Sequence, residues 1–184
     1  MAAQKADAVA DPPMPAPAQG PAAEFRRGLG ELLPELRAYA RFLVRERAGS
    51  DDLVQDCVVR ALASLGQFQA GTSLKAWLFT ILRNAFYEQT RRRRREAAAL
   101  ALHAQSGGEG LQQHHGEIAD MSRMLWTLPP LLREALVLVG AQELTHEEAA
   151  AVCGVPVGTM RARVSRARGK LAECFADGQR PWEV

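Results

Sequence analysis

Apolar residues recur at intervals of three and four along most of this chain, and no run alternates β-branched with polar residues. This spacing places the apolar residues on one face of a helix, whereas a half-buried strand needs a period of two. The sequence therefore predicts an all-α protein. In the first half, the apolar faces contain Leu32, Leu33, Leu36, Tyr39, Ala40, Leu43 and Val44, then Val54, Val58, Ala61, Leu62 and Leu65, then Leu74, Trp77, Leu78, Ile81, Leu82 and Ala85.

Breaks in the helical pattern divide the chain into two domains. Proline and alanine dominate the start, and the sequence Ser-Gly-Gly-Glu-Gly at 106–110 cannot continue a helix. We expect a linker there that lets the two domains move independently in the free protein. The predicted segments are a disordered tail at 1–24, a helical domain at 25–95, a linker at 96–120, a smaller helical domain at 121–175 and a C-terminal tail at 176–184.

Local signals predict where helices of the first domain begin. Gly49 and Ser50 mark a break, after which Asp51 and Asp52 suit the positive end of a helix dipole. The segment 66–72 is predicted to be a loop, with Thr72 or Ser73 as the N-cap of the next helix. That helix runs into five consecutive arginines, and the residues after Glu96 can prolong it.

Positive charge is concentrated in two blocks. The chain has a formal charge of +2, but Arg91–Arg95 alone carry +5 and residues 157–173 carry +4, so the remainder is acidic. Two short cationic blocks in an acidic chain indicate two places where a polyanion docks.

The composition excludes several functional classes. A hydrophobic content of 47% is enough for a core, no apolar stretch approaches a membrane span, and no secretory signal is visible. Cys57, Cys153 and Cys174 are predicted to be buried thiols of a cytoplasmic protein. The His146-Glu147-Glu148 sequence lacks the second histidine of a zinc motif, and His114-His115 has no partners at ligand spacing. We expect no catalytic residue, no metal and no cofactor.

The second domain has the proportions of a helix-turn-helix. Thr145 and Glu148 have capping-box spacing, Gly154 ends that helix, and another begins after Pro156. Rotation by 100° per residue predicts a buried seam and an opposite basic face that suits the major groove. The seam contains Met160, Val164, Ala167 and Leu171, and the opposite face contains Arg161, Ala162, Ser165, Arg166 and Gly169, with Arg163, Arg168 and Lys170 on its flanks.

A solvated basic helix would explain the same pattern without DNA. Ordinary solvated faces usually mix charge signs, and no acid lies between Val157 and Lys170. This favours DNA binding, with Thr159 and the free amides of the helix start near a phosphate.

Both domains together resemble the extracytoplasmic-function (ECF) sigma factors of the sigma-70 superfamily, most of all the subgroup that runs the general stress response in some bacteria. The resemblance covers about residues 25–175. It is carried by Asp51-Asp52-Leu53-Val54-Gln55-Asp56, by Leu74-Lys75-Ala76-Trp77-Leu78-Phe79-Thr80-Ile81-Leu82-Arg83-Asn84, and by Gly154-Val155-Pro156-Val157-Gly158-Thr159 with Ser165-Arg166-Ala167-Arg168.

The resemblance implies a region 2 bundle and a region 4 helix-turn-helix that serve core RNA polymerase and promoter DNA. Docking on the β′ coiled coil falls to Asp52, Gln55 and Asp56, although complementarity to the helix dipole explains the acids as well. The second domain would meet the β flap. An anti-sigma protein would cover the sigma factor, which would be cytoplasmic and nucleoid-associated in the holoenzyme, without membrane insertion.

The resemblance also assigns the two promoter elements. An unpaired base of the −10 element would be captured by one stripe of the third helix and the loop before it, while Trp77 is assigned to the core. The −10 residues are Phe68, Thr72, Ser73, Thr80, Asn84, Tyr87, Arg91, Arg92 and Arg93. The −35 residues are Thr159, Arg161, Ala162, Ser165, Arg166 and Arg168.

Two other functions are alternatives to a sigma factor. A sigma-like decoy that binds an anti-sigma protein without DNA should lose the basic face and usually carries a receiver domain, but Arg161 and Arg166 are present. A stand-alone helix-turn-helix regulator would not need the motifs of the first domain.

Overall fold

The computed structural model describes residues 20–44, 46–69, 71–101 and 124–176. The predicted N-terminal tail before residue 20, the Ser-Gly-Gly-Glu-Gly sequence, His114-His115 and the end of the chain from residue 177 lie outside the described residues. Within them the chain is helical without a strand, which confirms the all-α prediction. The helices are α1 (Pro21–Val44), α2 (Arg47–Ala63), a 3₁₀ turn (Leu65–Gln67), α3 (Leu74–Ala101), a turn at 124–127, α4 (Pro130–Leu136), a π turn (Val137–Ala141), α5 (His146–Cys153) and α6 (Val157–Ala176).

The first domain is a bundle of α1, α2 and α3. Leu36, Tyr39 and Ala40 on α1 are completely buried, as the periodicity predicts. The capping residue of α3 is Ser73, whose Oγ accepts a hydrogen bond from the Ala76 amide at 3.2 Å. The helix then continues through the arginine block to Ala101.

The predicted start of α2 is wrong, and its predicted buried face is correct at Val54 and Ala61 but wrong at Leu62. The helix begins at Arg47, so Asp51 lies beyond the first turn, where the helix dipole has weakened. Gly49 lies inside the helix, close to the end of α1. A larger residue would not fit there, because its Cβ would be 2.9 Å from Val44 Cγ1. The buried face is formed by Ser50, Leu53, Val54, Cys57 and Ala61, whereas Leu62 is 44% exposed.

The second domain follows the predicted helix boundaries except at one place. Thr145 and Glu148 form the capping box with hydrogen bonds of 2.8 and 3.1 Å, and Gly154 ends α5 with a φ of +64°. The apolar spacing of Leu131, Leu132, Ala135, Leu136 and Val139 predicts one helix through Val139, but the α-helix changes into the π turn after Leu136. Of the predicted α6 seam, Met160, Val164 and Ala167 are buried and Leu171 is half-buried.

The two domains pack against each other, which contradicts the expectation of independent domains in the free protein. The α5 helix packs on α3, and one apolar cluster contains core residues of both domains. Phe79 on α3 is completely buried and stacks on Tyr39 at 5.0 Å between ring centroids. The buried arc of α3 is wider than its periodicity predicts because it is covered by helices of both domains.

Two of the three cysteines are buried, as predicted. Cys57 donates a hydrogen bond from Sγ to the Leu78 carbonyl at 3.5 Å, and burial raises its pKa to about 12. Burial likewise raises the pKa of Cys153 to about 11. Cys174 is half-buried, because its position near the end of α6 lies past the packed seam.

Candidate nucleic-acid interface

The basic face of α6 is exposed to solvent over its whole length. Arg161, Ala162, Ser165, Arg166 and Arg168 are all exposed, so the structure brings the predicted −35 residues together on one surface. The alanine and serine side chains between the arginines are small and project little from the helix, which lets the helix axis approach a groove.

Hydrogen bonds orient two of the arginines on this face. Arg161 Nη2 donates to Glu147 Oε1 at 2.8 Å, and Arg166 Nε donates to the Ala162 carbonyl at 3.2 Å. Thr159 is half-buried in the first turn of α6. The described part of α6 thus presents guanidinium groups next to the helix N-terminus, a combination that suits phosphate and base edges.

The predicted −10 stripe on α3 is exposed at its centre and basic at its far end. Asn84 is exposed, and so are Arg91 and Arg93. Arg92 is also exposed but pairs with Glu96 at 2.8 Å, one helical turn further on. Thr80 is half-buried and donates its hydroxyl hydrogen to the Ala76 carbonyl at 2.8 Å.

Residues of the preceding loop are engaged within the protein. Phe68 packs against Phe25 and Trp77, with centroid distances of 6.1 and 5.4 Å, and Trp77 meets Phe25 edge-on at 6.0 Å. Trp77 and Phe68 are both half-buried and pack against the core. The Thr72 hydroxyl donates to the Gln69 carbonyl at 2.7 Å.

Tyr87 and Ser73 of the predicted −10 surface contact acids of the second domain. The Tyr87 hydroxyl donates to Glu134 Oε2 at 3.4 Å, and burial raises the pKa of Tyr87. A hydrogen bond from the Ser73 hydroxyl is the largest influence that lowers the pKa of Glu148. No local sequence pattern predicts these contacts, because they join residues far apart in the chain.

The α2 surface combines acids with exposed apolar side chains. Asp52 and Gln55 are exposed, and Asp56 is half-buried and pairs with Arg60 at 2.9 Å. Val59 and Leu62 are 65% and 44% exposed. With 100° per residue, Asp52, Gln55, Val59 and Leu62 fall within about 80° of one another. Periodicity alone assigned Leu62 to the core, so this apolar extension was missed.

Among the described residues no helix combines the length and apolar content that crossing a bilayer requires. Within the same residues, no group of three or more histidine, cysteine, aspartate or glutamate side chains is arranged to hold a metal ion.

Known proteins match both domains in order. Residues 29–96 match the family Sigma-70 region 2, and residues 118–171 match the family Sigma-70, region 4. The ECF RNA polymerase sigma factor EcfG of Rhodopseudomonas palustris (strain TIE-1) is 46% identical over 153 residues, covering 79% of this chain and 82% of that protein.

Solved structures agree with the sequence matches. The sigma factor RpoE in complex with the anti-sigma factor NepR from Bartonella quintana is 40% identical with a TM-score of 0.70, covering 83% of this chain and 97% of that chain. CnrH in complex with the cytosolic domain of CnrY is 28% identical with a TM-score of 0.60, covering 86% and 97%. This chain belongs to the ECF sigma factors of the sigma-70 superfamily.

Proposed function

We propose that this ECF sigma factor acts as a non-enzymic, dissociable subunit that docks on core RNA polymerase through α2 and holds promoter DNA with α3 and α6. The observation that carries the proposal is the pair of exposed basic surfaces, one on each domain. The working compartment is the cytoplasm, with the nucleoid as the place of action in the holoenzyme.

The −35 element is read by α6 in the major groove. Arg161 and Arg166 are five positions and about 140° apart around the helix, so both reach one groove. Arginine bridges guanine O6 and N7, and Thr159 and Arg168 lie where phosphates pass.

The −10 element is held as single-stranded DNA along α3. Asn84 offers an amide for a base edge, Tyr87 offers a ring for stacking, and the arginines from Arg91 onwards follow the phosphates. Ser73 and Thr72 border the same surface, while Phe68 supports the loop from the core side.

Polymerase docking uses the exposed α2 face. Asp52, Gln55 and Asp56 supply polar contacts to the β′ coiled coil, and Val59 and Leu62 supply apolar contacts beside them. Large apolar side chains exposed next to charge are typical of a protein interface. The second domain meets the β flap.

An anti-sigma protein is the proposed regulator, in a stress response. The support is the similarity to RpoE, which was crystallised with the anti-sigma factor NepR, and to CnrH, whose structure was solved in complex with the cytosolic domain of CnrY.

Run-off transcription with core polymerase tests the proposal, on a promoter identified by chromatin capture of this protein. The proposal predicts a transcript that requires this chain and is lost when the −10 or the −35 element is scrambled. No transcript, together with undiminished binding to an anti-sigma protein, would identify a decoy instead.

A further inference from the structure

A buried carboxylate joins the two domains. Glu134 on α4 is only 3% exposed, although it belongs to the charged residues that proteins rarely bury. Among the described contacts, each of its oxygens accepts two hydrogen bonds. Oε1 accepts from Arg83 Nε at 2.9 Å and from the Tyr39 hydroxyl at 3.1 Å, and Oε2 accepts from Arg83 Nη2 at 3.3 Å and from the Tyr87 hydroxyl at 3.4 Å.

These described donors all come from the first domain, so the cluster is complete only when the domains are together. Burial without partners would be costly for a carboxylate and for the Arg83 guanidinium, but here they pair with each other. The guanidinium also lies over the Tyr87 ring, 4.6 Å from its centroid. The cluster therefore fixes one relative placement of the domains.

Two further contacts support the same placement. Phe42 on α1 meets Trp126 of the second domain at 6.0 Å between ring centroids. At the other end, α5 packs on α3, and Ser73 and Lys75 near the start of α3 lower the pKa of Glu148.

The two acids contact residues of the proposed −10 surface. Glu134 accepts a hydrogen bond from the Tyr87 hydroxyl, and Ser73 lowers the pKa of Glu148. A carboxylate accepts hydrogen bonds and carries negative charge, as a DNA phosphate does. Each acid therefore occupies a position where a phosphate group could bind. The basic face of α6 lies outside this contact and stays exposed.

We propose that Glu134 closes the second domain over Tyr87 on α3, so that single-stranded −10 DNA gains full access to α3 only when the domains separate, while duplex DNA can still reach α6. This rests on the proposed −10 function of α3. Recognition is then ordered, because the −35 surface is open in the closed form, whereas Tyr87 of the −10 surface is released only when the Glu134 cluster is broken.

The closed form lowers the apparent affinity for single strands by the fraction of open molecules. If about one molecule in ten is open, removing the closure strengthens binding by about tenfold. Duplex affinity should change little, since α6 is exposed in both forms.

The test uses the full chain and the variant Glu134→Gln, which removes the charge but keeps the shape. Glu173→Gln is the matched control, because Glu173 is exposed in the same domain. The probes are a fluorescent oligothymidine strand and a duplex of equal length, measured by fluorescence anisotropy. We expect Glu134→Gln to bind the single strand roughly five- to tenfold more tightly and the duplex within about twofold of the wild type. Glu173→Gln should match the wild type on both probes.

Arg93→Ala separates failure of the closure from failure of the −10 surface. If Arg93→Ala weakens single-strand binding but Glu134→Gln leaves it unchanged, the closure is wrong and the −10 surface stands. If Arg93→Ala does not change single-strand affinity even in the Glu134→Gln background, the assignment of the −10 surface to α3 is wrong, and the proposed exclusion is wrong as well.

A charge swap guards against a variant that merely unfolds. By small-angle X-ray scattering, Glu134→Lys should increase the radius of gyration, and Glu134→Lys combined with Arg83→Glu should restore the compact form. Equal scattering from the wild type and from a helical Glu134→Lys protein would overturn the proposal.

Discussion

Arg161 on α6 donates from Nη2 to Oε1 of Glu147 on α5 at 2.8 Å, so an acid of the scaffold helix orients a proposed base-reading arginine. The two side chains are 64% and 59% exposed. The pKa of Glu147 is lowered first by a hydrogen bond to its own backbone amide and then by Arg161. An exposed pair of this kind contributes little to stability, so its main effect falls on DNA binding.

Glu147→Gln should therefore strengthen duplex binding. The change removes a negative charge beside the groove-facing arginine and releases Arg161, which we expect to raise affinity roughly two- to fivefold at low salt and less at high salt. Anisotropy titrations over a salt series measure this. Glu173→Gln, at the far end of α6, is the control. An equal gain in duplex affinity from this variant would show that the effect comes only from the overall charge of the protein.

Charge reversal on α2 should weaken polymerase binding. Asp52→Lys should reduce affinity for core polymerase several-fold or more, because it places a positive charge on the docking face. Asp56→Lys should do the same, but it also sets a lysine beside Arg60, so the free energy of unfolding must be measured with it. Unchanged affinity with intact helical circular dichroism would remove both acids from the interface.

The apolar part of that face offers a cleaner test. Val59→Ser and Leu62→Ser alter side chains that are 65% and 44% exposed, so Val59→Ser should leave the free energy of unfolding nearly unchanged and Leu62→Ser should lower it only modestly. If they contact polymerase, each should still weaken core binding several-fold. Large destabilisation without a binding defect would show that these side chains are covered within the protein.

Thiol labelling reports on the closure of the domains. Cys174 is half-buried and should react first with iodoacetamide, while Cys57 and Cys153 are buried with raised pKa values. The pKa of Cys153 is influenced by Glu134 and Arg83, which places it beside the interdomain cluster. Glu134→Gln should thus accelerate labelling of Cys153 but leave Cys57 protected. Equal acceleration at both cysteines would indicate general unfolding.

The same raised pKa values predict loss of stability in alkaline solution. The folded thiols keep their protons to pH values of about 12 for Cys57 and about 11 for Cys153, whereas the ordinary pKa is 9.0. Their contribution is fully present below pH 9 and is lost as the pH rises from 9 towards 11 and 12, because the unfolded chain then releases protons that the folded chain retains. Urea unfolding at a series of pH values measures it, and Cys57→Ala should flatten the slope.

Features set by neighbours in the chain were predictable from the sequence. The capping box of Thr145 and Glu148, the αL residue Gly154 and the seam of α6 follow from local hydrogen bonding and the helical repeat. The exposed face with Arg161 and Arg166 follows from the same repeat, because α6 is buried on one side only.

Features set by contacts between distant segments were not predictable. Gly49 reads as a helix break, but it lies inside α2, where a Cβ would be 2.9 Å from Val44 Cγ1. Leu62 has the spacing of a core residue, yet no described helix covers it, and Phe79 is buried because α3 is packed on two sides. Glu134 reads as an ordinary surface acid; only the approach of Arg83, Tyr39 and Tyr87 makes it an interdomain site.

The most direct test of the account compares two arginines in the holoenzyme, on the native promoter and on one with a scrambled −35 element, across a salt series. Arg166→Ala should cost about 1–3 kcal/mol on the native promoter and remove most of the discrimination between the two templates. Arg93→Ala should weaken both templates alike and reduce the salt dependence by about one phosphate contact. If Arg166→Ala instead loses the same binding free energy on both templates, α6 only anchors phosphates, and promoter reading by this face is contradicted.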